Sequence, residues 1–419
     1  MRLVGSVVSA MTDTFSKPAI TPVVGNSLRL VEQWVEKHDY RGYEPFDGLS
    51  SPLRPLTFGN LLLDRLLMQL IRQSPVNLRP LFGVKRLEST KGRGYMASGY
   101  LMRFRLTGDP ECARKARHCL DWLMTHQSPR YAHYSWANHF DFASRAGRYS
   151  KDEPIIVWTA LIGQAFLDGF ELLHEQKYLD VATSVCEWIS ALPRQGTASG
   201  SCLSYLACKD SFVHNANMLG AAMLARTGRV VGNSTYMRVA AEAMEYSCSR
   251  QLPDGSWYYG EEDHYRWIDS FHTGYNLDSL KSYIANTGDN TYRDHMSRGF
   301  RFFADNFFEA DGLPKYYHDR AYPIDIQCAA QAIETLALFA DCEESALPLA
   351  CKVAQWTINH MQDRSGYFYY RRYPMTTAKT PMLHWGQATM YKALSSLMFR
   401  LDAPVEQPMH GLAYAESRA

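Results

Sequence analysis

The sequence predicts an all-α protein, an (α/α)6 toroid in which inner and outer helices alternate and long loops line a cleft on one face. Three observations predict it. Two kinds of helical pattern alternate along the chain: amphipathic stretches with an aromatic near the end, and stretches that are apolar or rich in small residues all round. The first kind lies outside and the second is buried. The buried kind occurs six times, at steps of roughly 55 to 61 residues, a helical-hairpin period. Strand signals are few. A solenoid of stacked helix pairs gives the same local pattern, but six units and a closing helix favour the ring.

In chain order, "NSLRLVEQWVEKH" (26–38) reads as the sixth outer helix, placed to close the ring beside the last inner one. "FGNLLLDRLLMQLIRQ" (58–73) stands outside the alternation and is expected either to cap the ring or to replace one of the ring elements assigned elsewhere. Five inner–outer pairs follow: 94–106 with 110–123, 155–170 with 174–189, 214–225 with 233–246, 271–284 with 289–303, and 325–340 with 343–358. The last inner helix is 383–399. Thr-Gly pairs at Thr107, Thr227 and Thr287 mark short inner-to-outer turns. The ring is expected over 26–402 as one domain, with flexible tails at 1–25 and 403–419.

The 419 residues, 46% hydrophobic, suffice for a large core. A net charge of +1, without a Lys/Arg block, argues against a nucleic-acid or membrane-surface protein. Nine scattered Cys with no CxxC read as buried free thiols in a reducing, cytoplasmic setting. The start "MRLVGSVVSAM" is too diluted by Gly and Ser for a signal peptide. No long apolar run suggests a transmembrane segment. No Cys/His cluster has zinc spacing, so neither metal nor cofactor is expected.

The outer-to-inner bridges are long (128–154, 193–213, 252–268, 311–323, 363–382), and in a closed ring they share one face. They repeat a vocabulary of Tyr, Trp, His, Arg and Asp. Aromatic faces stack on sugars, and Arg and Asp bind hydroxyls or carboxylates with fixed geometry. Candidate binding residues are Trp136, His139, Trp257, Tyr259, Glu261, Asp263, Trp267, Tyr275, Asp319, Arg320, Tyr369, Tyr370, Arg371, Arg372, His384 and Trp385. Asp269 and His272, three apart at an inner-helix start, and Tyr317 and His318 are the catalytic candidates. Asp269 also suits a plain N-cap. "QLPDGSW" and "MQDRSGYFYY" read as architecture, with Gln and Gly tying helix ends to turns.

"YEPFDGLSS", "DSFHTGYNLDSL", "KYYHDRAYPIDIQCAAQAI" and "LHWGQATMYKAL" resemble bacterial proteins of exopolysaccharide and surface-polysaccharide biosynthesis, within the six-hairpin carbohydrate-active enzymes. The resemblance covers most of the chain. It implies an oligo- or polysaccharide substrate, anionic in one reading, and other polysaccharide-biosynthesis proteins as partners. More distant relatives include uronyl C5-epimerases and polysaccharide lyases. An epimerase or lyase removes the C5 proton of a uronic acid, and needs a base, an acid and a cation for the carboxylate. Tyr317 or His318 with His272 would supply the pair, and Arg320, Arg371 or Arg372 the cation. A glycoside hydrolase would instead use two carboxylates, from Glu261, Asp263, Asp269 and Asp319 among others. A non-catalytic glycan-binding protein is the third reading. The Tyr, His and Arg excess favours proton abstraction.

Overall fold

The computed structural model describes residues 17–144, 147–403 and 409. The inner wall is made by α3 (Thr90–Thr107), α5 (Ile156–Leu173), α7 (His214–Val231), α9 (Ser270–Thr287), α11 (Ile326–Phe339) and α13 (Thr389–Asp402). Each touches the next, and α13 returns to α3, so the ring is closed. The outer layer is α4 (Pro110–Thr125), α6 (Gln176–Ser190), α8 (Ser234–Cys248), α10 (Arg293–Asn306), α12 (Ala346–Met361) and α1 (Lys17–Lys37). The last of these packs on α12 and α13, as its sequence position predicts. One continuous apolar core joins both layers. Helix α5 is long and apolar enough to cross a membrane, contrary to the expectation that no such stretch exists. It is two-thirds buried inside the ring, as an inner wall must be.

A repeated glycine contact sets the spacing of the outer layer. After each of four outer helices the chain makes a turn whose glycine has positive φ and abuts the backbone of the next outer helix. Gly200 meets α8 at Glu242, Gly255 meets α10 at Arg298, Gly312 meets α12 at Lys352, and Gly366 meets α1 at Leu30. The fourth contact makes α1 the sixth outer helix. Side chains of Gln251 and Gln362 bind the same turns: Gln251 Nε2 donates to the Gly255 and His295 carbonyls, and Gln362 Nε2 to those of Gly366 and Ser27. Ser27 Oγ donates back to Gln362 at 2.8 Å, across 335 residues of sequence. A Cβ at position 366 would lie 2.5 Å from the Leu30 carbonyl, at a φ of +103°. Gly366→Ala is therefore expected to cost about 1–3 kcal/mol, read as a lower midpoint in denaturant.

Three details depart from the sequence reading. Helix α1 begins at Lys17, inside the stretch read as tail; residues 1–16 lie outside the described residues. Thr227 and Gly228 sit a turn inside α7, which ends instead at Gly232 with φ +70°. Met409, placed in a flexible C-terminal tail, is buried at the turn end of the lumen against Met102, Ala337 and Phe399. Arg105 donates to its carbonyl at 2.7 Å. Helix α2 (Leu61–Gln73) lies on the bridge face, packed on the turn Asp47–Ser50 and on the strand Phe142–Ser144.

Candidate active site

Two tyrosines on opposite inner helices meet across the lumen. Tyr95 of α3 and Tyr275 of α9 share a hydrogen bond of 2.9 Å between hydroxyls, and Gln327 of α11 donates to Tyr275 at 2.9 Å. This bar divides the lumen into a bridge side and a turn side.

On the bridge side, Asp269 is both a cap and an anchor. As N-cap of α9 its Oδ1 accepts the His272 backbone N–H at 3.0 Å. Its Oδ2 accepts His272 Nδ1 at 2.7 Å and Trp267 Nε1 at 2.9 Å. The two readings of Asp269 are thus one arrangement, because a cap three residues before a histidine brings the carboxylate to its ring. Tyr259 stacks on Trp267 and lies 4.5 Å from the His272 ring, centroid to centroid. Among the described residues His272 Nε2 has no hydrogen-bond partner.

A second imidazole is held the same way. His384 lies in a π-helical turn, Leu383–Ala388, that leads into α13. Its Nδ1 is 2.5 Å from Glu44 Oε2. Glu44 comes from a loop sewn to this turn, where Leu383 N–H donates to the Tyr43 carbonyl at 2.8 Å. That approach needs Gly42, since a Cβ there would fall 2.6 Å from Leu383 Cβ. Arg79 closes the loop from behind, donating to both Asp47 oxygens at 2.8 and 3.1 Å and to the Glu44 carbonyl at 2.8 Å. Burial would raise the Glu44 pKa, but His384 and Lys91 outweigh it and hold it at about 2. Burial pushes His384 below the usual imidazole value, so the ring is neutral near pH 7. With Nδ1–H given to Glu44, the bare nitrogen is Nε2. Tyr95 joins the two halves: its ring is 6.0 Å from His384, and its hydroxyl partner Tyr275 is 6.5 Å from His272. His139 is beside Glu44, and burial takes its pKa down to about 4. Lys91 Nζ lies over Trp158, 4.2 Å from the ring centroid.

The other sequence candidates separate. Trp136 and Trp257 are core residues, fully enclosed, with their indole N–H groups given to the carbonyls of Leu123 and Ser247. A glycan has no access to either. Tyr370 is enclosed too, its hydroxyl accepting from Arg72. Arg371 is spent on Asp325, which also caps α11 and accepts Trp385 Nε1 at 2.8 Å. His318 turns outward to Phe302 of α10 and is not in the lumen. Asp263, Asp319 and Arg320 are exposed, and Arg320 lies over the Tyr317 ring. Glu261 binds His214 Nε2 at 2.7 Å, while Ser247 holds the other ring nitrogen, so that histidine is structural. Tyr369 binds Asp363, and Arg372 pairs in a short sheet with Ile324 and Thr377. Tyr317 as a base required a lowered pKa. Burial and Asp269 raise it instead, and Arg320 does not reverse them. Sequence reasoning missed Glu44, Lys91, Tyr95 and the role of Arg79. Glu44 lies in the stretch "YEPFDGLSS" and Tyr95 in the expected inner helix 94–106, but neither was singled out.

A cavity of about 160 Å³ opens on the turn side, between residues that include Arg226, Asp278, Asn286, Gln331, Lys392 and Met409. Its ions are already paired: Arg226 with Asp168 and Glu171, Lys281 with Asp341, Lys392 with Glu334. The free ring nitrogens lie on the bridge side, and chemistry follows them rather than volume. In this cavity burial, with Glu334 beside it, pushes Asp278 up to about 8. A carboxyl raised in the folded state favours folding while protonated. Its contribution is complete below the ordinary value of about 4 and is lost once pH passes about 8. Asp278→Asn is expected to gain stability relative to wild type as pH rises through that window, measured by urea melts at several pH values.

No family model and no curated protein matches the chain. Solved structures do. It is similar to cellobiose 2-epimerase from Bacillus thermoamylovorans B4167, at 12% identity and TM-score 0.59, over 75% of this chain and 87% of that one. A polysaccharide lyase aligns at 11% identity and TM-score 0.60 over 92% and 99% of the two chains. An α-mannanase from Bacteroides thetaiotaomicron aligns at 12% identity and TM-score 0.58 over 74% and 86%. These likenesses bear out the fold: the chain is an (α/α)6 toroid. By name these three neighbours are a cellobiose 2-epimerase, a polysaccharide lyase and an α-mannanase.

Proposed function

We propose that this protein is a carbohydrate-active enzyme that moves a proton on a sugar carbon, as an epimerase or lyase, with His272 and His384 as its acid–base pair. One observation carries the reading: two imidazoles lie by the Tyr95–Tyr275 bar, each with Nδ1 held by a buried carboxylate and, among the described residues, no hydrogen-bond partner on Nε2. A carboxylate on Nδ1 fixes the tautomer and leaves Nε2 as the nitrogen available for proton transfer. One ring takes the proton from carbon and the other delivers a proton to the opposite face or to a leaving oxygen. The acidic C–H of a uronic acid, at C5 beside its carboxyl, suits this chemistry. Lys91 is the cation beside Glu44 and takes over the carboxylate-holding part assigned from sequence to Arg320, Arg371 or Arg372. The neighbours named epimerase, D-mannose isomerase and lyase support a proton-transfer reading.

The hydrolase reading has less support. It needs a protonated carboxyl opposite an ionised one, yet Asp269, Asp325 and Glu44 are all engaged in holding side chains. The test is incubation of uronate-containing oligosaccharides in deuterated water, read by NMR. Deuterium at C5 is expected, with epimer or unsaturated product naming the subclass. Cleavage by addition of water, with C5–H untouched, would sink the proposal.

A further inference from the structure

Helix α2, left over from the ring, turns a line of leucines to solvent. Leu62, Leu66 and Leu70 follow at four-residue spacing on one face and are 59%, 57% and 55% exposed. Just before the helix, Leu56 and Phe58 are 65% and 86% exposed. Among the described residues, eleven of the thirteen exposed large apolar side chains lie between Leu53 and Leu87. Exposed leucines scattered singly need no explanation, but a concentration of this kind marks a surface that meets something.

The charges around it say what. Between Gly48 and Leu87 the sequence holds six cations and one acid, Asp64. Asp64 is buried, accepting from Thr57 at 2.7 Å and paired with Arg148 at 2.7 Å. Of the cations only Arg79 is buried. Arg54 is paired with Asp141, so the unopposed charge this stretch shows to solvent is the positive charge of Arg65, Arg72, Lys85 and Arg86. The net charge of +1, read from sequence as arguing against a membrane-surface role, averages this local excess away.

We propose that α2 and the segments flanking it dock this protein on an anionic lipid surface. An aliphatic stripe in a stretch with an excess of exposed cations seats in the headgroup layer, where the leucines gain burial and the cations meet phosphates. A second copy is disfavoured, because a two-fold contact through this patch would set these cations against their own equivalents. A protein partner is disfavoured because the exposed apolar groups are mostly leucine, without Trp or Tyr to anchor an interface. Arg72 lies 4.3 Å from the Phe46 ring centroid, and Phe46 is two residues from Glu44. Docking would therefore hold the bridge face, with the candidate site, near the lipid.

The experiment is flotation of the full chain with phosphatidylcholine vesicles, with and without phosphatidylglycerol. Wild type is expected to float with the anionic vesicles only, and less at high salt. Leu62→Ser/Leu66→Ser/Leu70→Ser and, separately, Arg65→Glu/Lys85→Glu should each lower the bound fraction at least about tenfold, with the thermal melt of the protein unchanged. Three results would overturn the proposal: no flotation of wild type, equal flotation on both vesicles, or variants that float like wild type. So would sedimentation showing a wild-type dimer that the leucine variant abolishes, since a second copy would then cover the patch.

Discussion

His272→Ala is expected to lower turnover by about 10²–10⁴-fold while leaving the fold intact. The side chain is partly exposed at the start of α9, and its own backbone N–H, not its ring, completes the cap. Its loss therefore removes chemistry more than packing. His384→Ala should be as severe in turnover, but with a stability cost, because that ring is buried and bonded to Glu44. Steady-state kinetics on the substrate that exchanges deuterium, alongside circular dichroism, separates the two effects. Asp269→Asn probes the carboxylate itself. Its amide oxygen still caps α9, but its amide nitrogen cannot accept from His272 Nδ1 or Trp267 Nε1, so kcat falls together with a stability loss of about 1–3 kcal/mol. The acid limb of the pH profile is expected below the ordinary imidazole value, since burial lowers the His384 pKa and a base must be neutral to act. Wild-type turnover in His272→Ala would remove this residue from the mechanism.

Arg79→Ala is expected to lose about 3–5 kcal/mol of stability, the cost of leaving one partner of a buried ion pair alone. Arg79 is almost fully enclosed and answers to Asp47 and to the Glu44 carbonyl at once. The loop that presents Glu44 to His384 depends on it, so turnover should fall with stability. Arg79→Lys should rescue little, because an ammonium cannot reproduce the fork. In urea melts, Asp47→Asn combined with Arg79→Met should be less unstable than Arg79→Ala alone, since no charge is left unpaired. Equal midpoints for Arg79→Ala and wild type would mean that the loop is held by other contacts.

The ring was legible because its signal is repeated. Apolar α5 and α11, glycine turns at Gly255 and Gly366, and Trp34 at the right distance from a last inner helix all point the same way. Asp269 and His272 were legible for a similar reason, since a cap and a ring three apart are local. The Glu44–His384 pair is 340 residues apart in sequence, and no periodicity links them. Trp136 and Trp257 show the opposite failure. Tryptophan in a bridge serves either a sugar or the gap between hairpins, and composition does not distinguish the two. Arg320 and Arg371 were treated alike, although one is exposed and the other closed on Asp325. That difference is set by burial alone.

Ring closure has a consequence for synthesis. The surface of α1 that meets Gly366 and Gln362 is made long before its partners, 335 residues separating Ser27 from Gln362. At about 5–20 residues per second a ribosome takes roughly 20 s to a minute to bridge that gap. Through that interval the emerging hairpins form an open arc with two raw edges, one of them the apolar side of α3 awaiting α13. The nascent arc, rather than the finished ring, is the species that a holdase would shield and that a protease or a neighbouring chain would find.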